Sequence, residues 1–228
     1  MKRIGIDARM YGSSFLEIGV YTKHLLQELA KLAPEGITFV VFGEETSRPE
    51  IEALGNNFEF IPIHAPIHSF SEQVLFPHIL RKAQLDLIHF LSLNVPLLYR
   101  GKCIVTIHDL VPCFYPKKSM NSWMEDFIYR FSLKSIVSRA HSIITISHHT
   151  KKDLIELMQI DDKHIFPIAH GVNTPFGEET GDGEIAEMRR SLQISENRYI
   201  LYVGVLQNHK NIVRLLQAFG MMIQAGFE

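Results

Sequence analysis

Short runs rich in β-branched and aromatic residues return at intervals along the chain. Between them lie longer stretches whose apolar residues fall at three- and four-residue steps. That alternation is the pattern of βαβ units, and strands that are apolar along their whole length belong to a parallel sheet covered on both faces. The predicted strands are "RIGID" (3–7), "ITFVVFG" (37–43), "FEFIPI" (58–63), "DLIHFL" (86–91), "CIVTIHDL" (103–110), "SIITIS" (142–147) and "HIFPIA" (164–169). They make an α/β fold with a doubly wound parallel sheet of six or seven strands.

The helices follow from spacing and caps. Ile18, Tyr21, Leu25, Leu29 and Leu32 form one helical face, which Pro34 and Gly36 bring to an end. Ser71 opens a helix over 71–83, in which Pro77 implies a kink or a late start. Asn121 caps a long helix through "SWMEDFIYRFSLKSIVSRA", with Phe127, Phe131, Ile136 and Val137 as its apolar stripe. "SHHT" (147–150) reads as the cap of a further helix, with exposed imidazoles.

After residue 173 the composition changes to proline, glycines and acids, followed by a short amphipathic helix, "EIAEMRRSL". Residues 1–173 are therefore read as one domain, 174–197 as a connector, and 198–228 as the first β-α unit of an incomplete second domain. That unit opens with "YILYVGVLQNHKN", a strand, a glycine turn and a helix start. One strand with one helix cannot bury its own apolar faces, so this piece is expected to pack on a neighbouring chain, fold back, or move.

A net charge of −2 and a pI near 6.6 give no general pull toward nucleic acid. Cys103 and Cys113 have apolar neighbours and lack metal-knuckle spacing, so they read as buried free thiols. The N-terminus turns polar at Asp7, and no run of about 18 apolar residues occurs. A cytoplasmic protein is expected, with peripheral membrane contact open through Lys23, Lys31, Lys117, Lys118, Lys151 and Lys152.

In open parallel sheets, ligands bind beyond the carboxyl ends of the strands. Three stretches fall there: "MYGSSFLEIGVY" with Gly19, "TIHDL" with His108 and Asp109, and the turn between Gly204 and the last helix with His209 and Lys210. A glycine near a helix start lets an anion approach backbone amides. A histidine at a strand end can hydrogen-bond a sugar hydroxyl, and a lysine before a helix adds charge for a diphosphate. Each also has a plain structural reading as loop, core histidine or solvated lysine. GxGxxG, P-loop, GxSxG, HExxH and D-x-D patterns are absent. His64 and His68 flank Pro66, which defeats the helical spacing of a metal pair, so no metal site is expected.

Taken in order, "IGIDARMYG…IGVYTKHLLQEL", "DLIHFLSLNVP", "TIHDLVPCFYP", "RAHSIITISHHTKKDLIELM", "HIFPIAHGVN" and "YILYVGVLQNHKNIVRLLQAF" resemble family 4 glycosyltransferases across essentially the whole chain. The resemblance implies a retaining, metal-independent, mannosyltransferase-like enzyme of GT-B architecture. Two Rossmann-like domains then flank a cleft, and the first of them is the acceptor side. The donor is a nucleotide diphosphate sugar, the acceptor a glycan or lipid-linked glycan, and no cofactor is required. Carried over by position, His108 approaches the donor sugar as the catalytic group, while Gly19, Lys210 and His209 face the donor phosphates. Asp109 and Tyr21 fall on the acceptor side.

Glu17 replaces a glycine usual in the first loop, and the arginine that commonly partners the diphosphate lysine is absent. The family's E-x7-E pair is expected beyond Glu228, supplied by a missing C-terminal domain or a second chain, or through a homo-oligomer. On this reading the 228-residue chain alone is inactive. Two other readings stay open: a non-catalytic glycan- or partner-binding module, and a sugar-nucleotide epimerase.

Overall fold

A computed structural model of the chain describes residues 1–12, 16–32, 34–67, 69–115, 122–171, 181–194 and 199–226. The chain divides into two units, Met1–His170 and Gly171–Glu228.

The first unit is built on a seven-stranded sheet: β1 (Lys2–Asp7), β2 (Ile37–Gly43), β3 (Phe58–Pro62), β4 (Leu87–Phe90), β5 (Cys103–Ile107), β6 (Ser142–Thr145) and β7 (Ile165–Pro167). The order across the sheet is β3-β2-β1-β4-β5-β6-β7 and every pairing is parallel. The strand order reverses between β1 and β4, which makes their carboxyl ends the topological switch point. The strands predicted to run through His108 and Ser147 stop earlier, at Ile107 and Thr145, because the chain turns out of the ladder.

Successive side chains of a strand point to opposite faces, and here each face has its own core. Val40 and Phe42 pack with Phe76, Leu80, Ile88 and Ile136 on one side, while Phe39 and Val41 pack with Leu26, Ile51 and Phe60 on the other. The first face is covered by α3 (Phe70–Lys82), α5 (Ser122–Arg139) and α6 (His148–Met158), and the second by α1 (Leu16–Leu32) and the short α2 (Arg48–Glu52). The one-turn α4 (Val111–Phe114) follows β5. Cys103 and Cys113 are buried and unpaired, as expected.

Three details differ from the sequence reading. Helix α3 starts at Phe70, not late, because the Ser69 side chain accepts a hydrogen bond from the Glu72 amide; Pro77 lies buried inside it. In α5, Leu133, Ile136 and Val137 are buried, but Phe127 and Phe131 are 66% and 57% exposed. The helical period is right there, but the sheet covers only the second half of the helix. Asn121, the proposed cap, lies outside the described residues, as do His68, Lys117 and Lys118. Helix α6 is capped as read: Ser147 Oγ accepts from the Thr150 amide, and His148 and His149 are exposed.

The described residues of the second unit include α7 (Asp182–Ser191), a 3-10 turn at Asn208–Lys210, and α8 (Ile212–Gln224). The strand expected at 199–203 is not formed. A strand exists only with a ladder partner, and no described residue of this unit offers one. Helix α8 keeps a strongly one-sided apolar face, yet none of its residues is buried. No described helix is long and apolar enough to cross a membrane.

Candidate functional site

Two clusters occupy the carboxyl edge of the first unit's sheet. The first is a set of rings. His108 leaves β5 with its Nε2 2.9 Å from the Leu91 carbonyl, so Nε2 carries the proton and Nδ1 keeps the lone pair. Burial pushes its pKa down, against the opposing pull of the Leu91 bond and of Asp109 and Glu17, so the ring is neutral at physiological pH. Tyr21 reaches over from α1 and meets His108 edge-on at 5.1 Å between centroids. It also stacks on His170 at 4.8 Å, and His170 in turn lies 5.4 Å from His108.

Below these rings, Thr106 Oγ1 lies 2.8 Å from His89 Nε2 and 3.4 Å from the Tyr21 hydroxyl. Thr106, next to the end of β5, and His108, just past it, both meet Tyr21. Burial, helped by the neighbouring His108, lowers the His89 pKa to about 4. The result is a wall of three rings, Tyr21, His108 and His170, with His89 buried beneath it; burial lowers the pKa of each of the three histidines. Such a wall can stack on a sugar ring and accept hydrogen bonds from its hydroxyls without adding charge.

The second cluster sits at the switch point. Arg9, 3% exposed, donates to both Asp7 carboxylate oxygens at 2.7 Å, to Glu72 Oε1, and to the Asn94 carbonyl at 3.1 Å. Asn94 Nδ2 donates to the same Glu72 oxygen at 2.8 Å, and the guanidinium lies 4.0 Å above the Phe76 ring. Burial alone would lower the Arg9 pKa, but the Asp7 and Glu72 charges and bonds outweigh it and raise it. Asp7, Arg9, Ile18, Leu91 and Asn94 line a crevice there.

The model of Glycosyltransferase Family 4 matches residues 18–176, well over half of the chain. The chain belongs to glycosyltransferase family 4. A stretch of 119 residues is 30% identical to the O-antigen chain mannosyltransferase RfbU of Salmonella typhimurium, covering 52% of this chain and 28% of that protein. The fold is similar to that of Anabaena HepE crystallised with UDP and glucose, with a TM-score of 0.55 at 14% identity over 86% of this chain and 52% of HepE. HepE crystallised with UDP-glucose gives a TM-score of 0.53 at 14% identity, over 86% of this chain and 51% of HepE. The family 4 chain thus spans about half the length of HepE and 28% of RfbU, and its Rossmann-like sheet is of the GT-B kind.

Of the residues singled out in the sequence, this family 4 chain brings Tyr21 and His108 together. Asp109 does not bond the His108 ring. Its Oδ1 accepts from the Val111 amide and so starts α4. Gly19 lies inside α1, not in the loop before it, and a Cβ there would come 2.1 Å from the Gly12 carbonyl oxygen. Its glycine character lets the β1–α1 loop press against the helix. Lys210 and His209 belong to the second unit, in the turn ahead of α8. Among the described residues, no group of three His, Cys, Asp or Glu side chains could hold a metal ion.

The sequence reading missed His89, Thr106, His170 and the whole Arg9 network. His89 did leave a signal, a polar residue within the otherwise apolar run "DLIHFL". Arg9 and Asn94 lie inside the quoted stretches "IGIDARMYG" and "DLIHFLSLNVP", but nothing in the linear sequence ties them to each other or to Glu72.

Proposed function

We propose that this chain is the acceptor-side half of a retaining hexosyltransferase that takes its sugar, mannose in the first instance, from a nucleotide diphosphate donor and passes it to a glycan or lipid-linked acceptor. The observation that carries the reading is the wall of neutral rings around His108, at the carboxyl edge of the sheet and inside the family-matched segment. The His108 proton is already committed to Leu91, so Nδ1 is the atom left to accept from a donor-sugar hydroxyl. Tyr21 and His170 supply flat surface for a sugar ring.

The name of the Salmonella relative supports mannose, and the ligands of HepE support a nucleotide diphosphate donor. Retention fits a same-face reaction in which the leaving diphosphate itself assists, since Asp109, a carboxylate near His108, accepts from the Val111 amide. Lys210, in the turn just before α8, is the residue assigned to that diphosphate in this reading, a cation beside a helix amino end, with no metal called for. A cytoplasmic location, with peripheral contact at the membrane's inner face, suits both substrates.

Calorimetry with GDP, UDP, GDP-mannose and UDP-glucose tests the proposal. Saturable binding of one nucleotide is expected, unaffected by EDTA and lost in Lys210→Ala, with His108→Ala weakening the nucleotide-sugar but not the free nucleotide. No binding of any nucleotide would defeat the donor role given to Lys210 and His108 and leave the chain as an acceptor side alone. One observation favours a binding module instead: Glu17, exposed in the first turn of α1, puts a negative charge where phosphates would approach. On that reading glycans bind, nucleotides do not, and Glu17→Gly restores nothing.

A further inference from the structure

The opposite, amino edge of the sheet carries a cavity that the transferase reading leaves unused. Each crossover returns the chain to this edge, which gathers the end of α3, the 97–102 loop before β5, and the end of α5 before β6. Between the first two lies a cavity of about 270 Å³, lined by Leu80, Arg81, Gln84, Leu85, Tyr99 and Arg100.

The loop is held by two guanidinium groups on the same pair of carbonyls. Arg139, from α5, donates through Nη1 to Tyr99 O at 2.7 Å and Leu97 O at 3.2 Å; Arg100 donates through its own Nη1 to Leu97 O and, at 3.2 Å, to Tyr99 O. Neither arginine pairs with a carboxylate among the described residues, nor does Arg81, which is exposed on the last turn of α3. Arg139 Nη2 is buried without a hydrogen-bond partner. Burial, and after it the charge of Arg100, push the Arg139 pKa down, with Cys103 opposing. Gly101 completes the loop, because a Cβ there would come 2.2 Å from the Tyr99 hydroxyl.

We propose that this cavity binds a phosphate or diphosphate group. Guanidinium forks match phosphate oxygens two at a time, and a dianion between Arg81 and Arg100 supplies the missing counter-charge. The cavity lies just below the usual range of small-molecule pockets, roughly 300–1,000 Å³, and so suits a small phosphorylated group, not a whole nucleotide. Its place on the amino edge separates it from the His108 wall. The phosphate can come from a soluble phosphoester or from the headgroup of an anionic lipid.

The test titrates the whole chain with inorganic pyrophosphate at fixed ionic strength, and separately with phosphatidylglycerol and phosphatidylcholine vesicles. Saturable pyrophosphate binding should be about tenfold weaker in Arg81→Gln, the loss of one charge-assisted contact. It should be unchanged in Lys210→Ala, which isolates it from any donor site. The Arg81 side chain makes no hydrogen bond or ion pair among the described residues, so its replacement leaves the loop intact; Arg100→Gln is the second variant, checked for folding by circular dichroism. Pyrophosphate binding identifies a soluble ligand. Binding only to phosphatidylglycerol vesicles, lost in Arg81→Gln, identifies a headgroup. Binding to neither probe, or binding that both arginine variants retain, overturns the proposal.

Discussion

The two edges of one sheet treat arginine in opposite ways. At the carboxyl edge, Arg9 is sealed from water and meets two carboxylates and a carbonyl, so its charge is consumed inside the fold. At the amino edge, Arg100 and Arg139 meet only carbonyl oxygens, which accept hydrogen bonds but cancel no charge. A guanidinium with carboxylate partners organises the loops around it. One bonded to carbonyls alone still projects a field that an anion can answer.

The sharpest way to break this contrast is Arg9→Met, which strands Asp7 and Glu72 as buried carboxylates without their cation. A loss of about 3–5 kcal/mol is expected from urea unfolding. A loss below 1 kcal/mol would mean that Arg9 is no more structural than Arg139. Next comes the pH dependence set by His89. Its folded pKa of about 4 lies below the ordinary 6.5, so between those values the unfolded chain binds more protons than the folded one. Stability is therefore complete above pH 6.5 and falls as the pH drops toward 4, by on the order of 3 kcal/mol. Unfolding followed across that window should show the decline, and His89→Gln should flatten most of it. The burial-lowered pKa values of His108 and His170 add slope of the same sign.

A smaller effect is expected from Gly19→Ala, where the new methyl meets the Gly12 carbonyl and pushes the β1–α1 loop off the helix. About 1–3 kcal/mol should be lost, read as a lowered Tm. Arg81→Gln should change stability by no more than about 0.5 kcal/mol, since the side chain is exposed and unpaired. If that variant unfolded the chain, the amino-edge arginines would be structural after all.

The sheet was legible because fully apolar runs of β-branched residues have few other uses, and all seven strands predicted for residues 1–173 exist. His108 was legible because it follows such a run directly. Its surroundings were not. Tyr21, Thr106 and His170 meet only once α1 is laid across β5, and a linear pattern does not encode that contact. Phe127 and Phe131 show the reverse failure, since helical spacing tells which residues share a face but not whether anything covers it. The unformed strand at 199–203 carries the same lesson for β-structure, because propensity lies within the segment and pairing lies outside it.

The place of β1 in the strand order also bears on how the chain is assembled during synthesis. β1 sits between β2 and β4, and its hydrogen-bonded neighbour Asp86 stands 83 positions from Arg3. A ribosome delivers β2 and β3 first, so the nascent three-stranded half must wait with one side of β1 unpaired until β4 emerges. Parallel pairings of such long separation close slowly, and a waiting edge invites the wrong partner. The carboxyl-edge site, assembled across that same seam between β1 and β4, therefore comes into being only after the interval in which the chain is most exposed to misassembly.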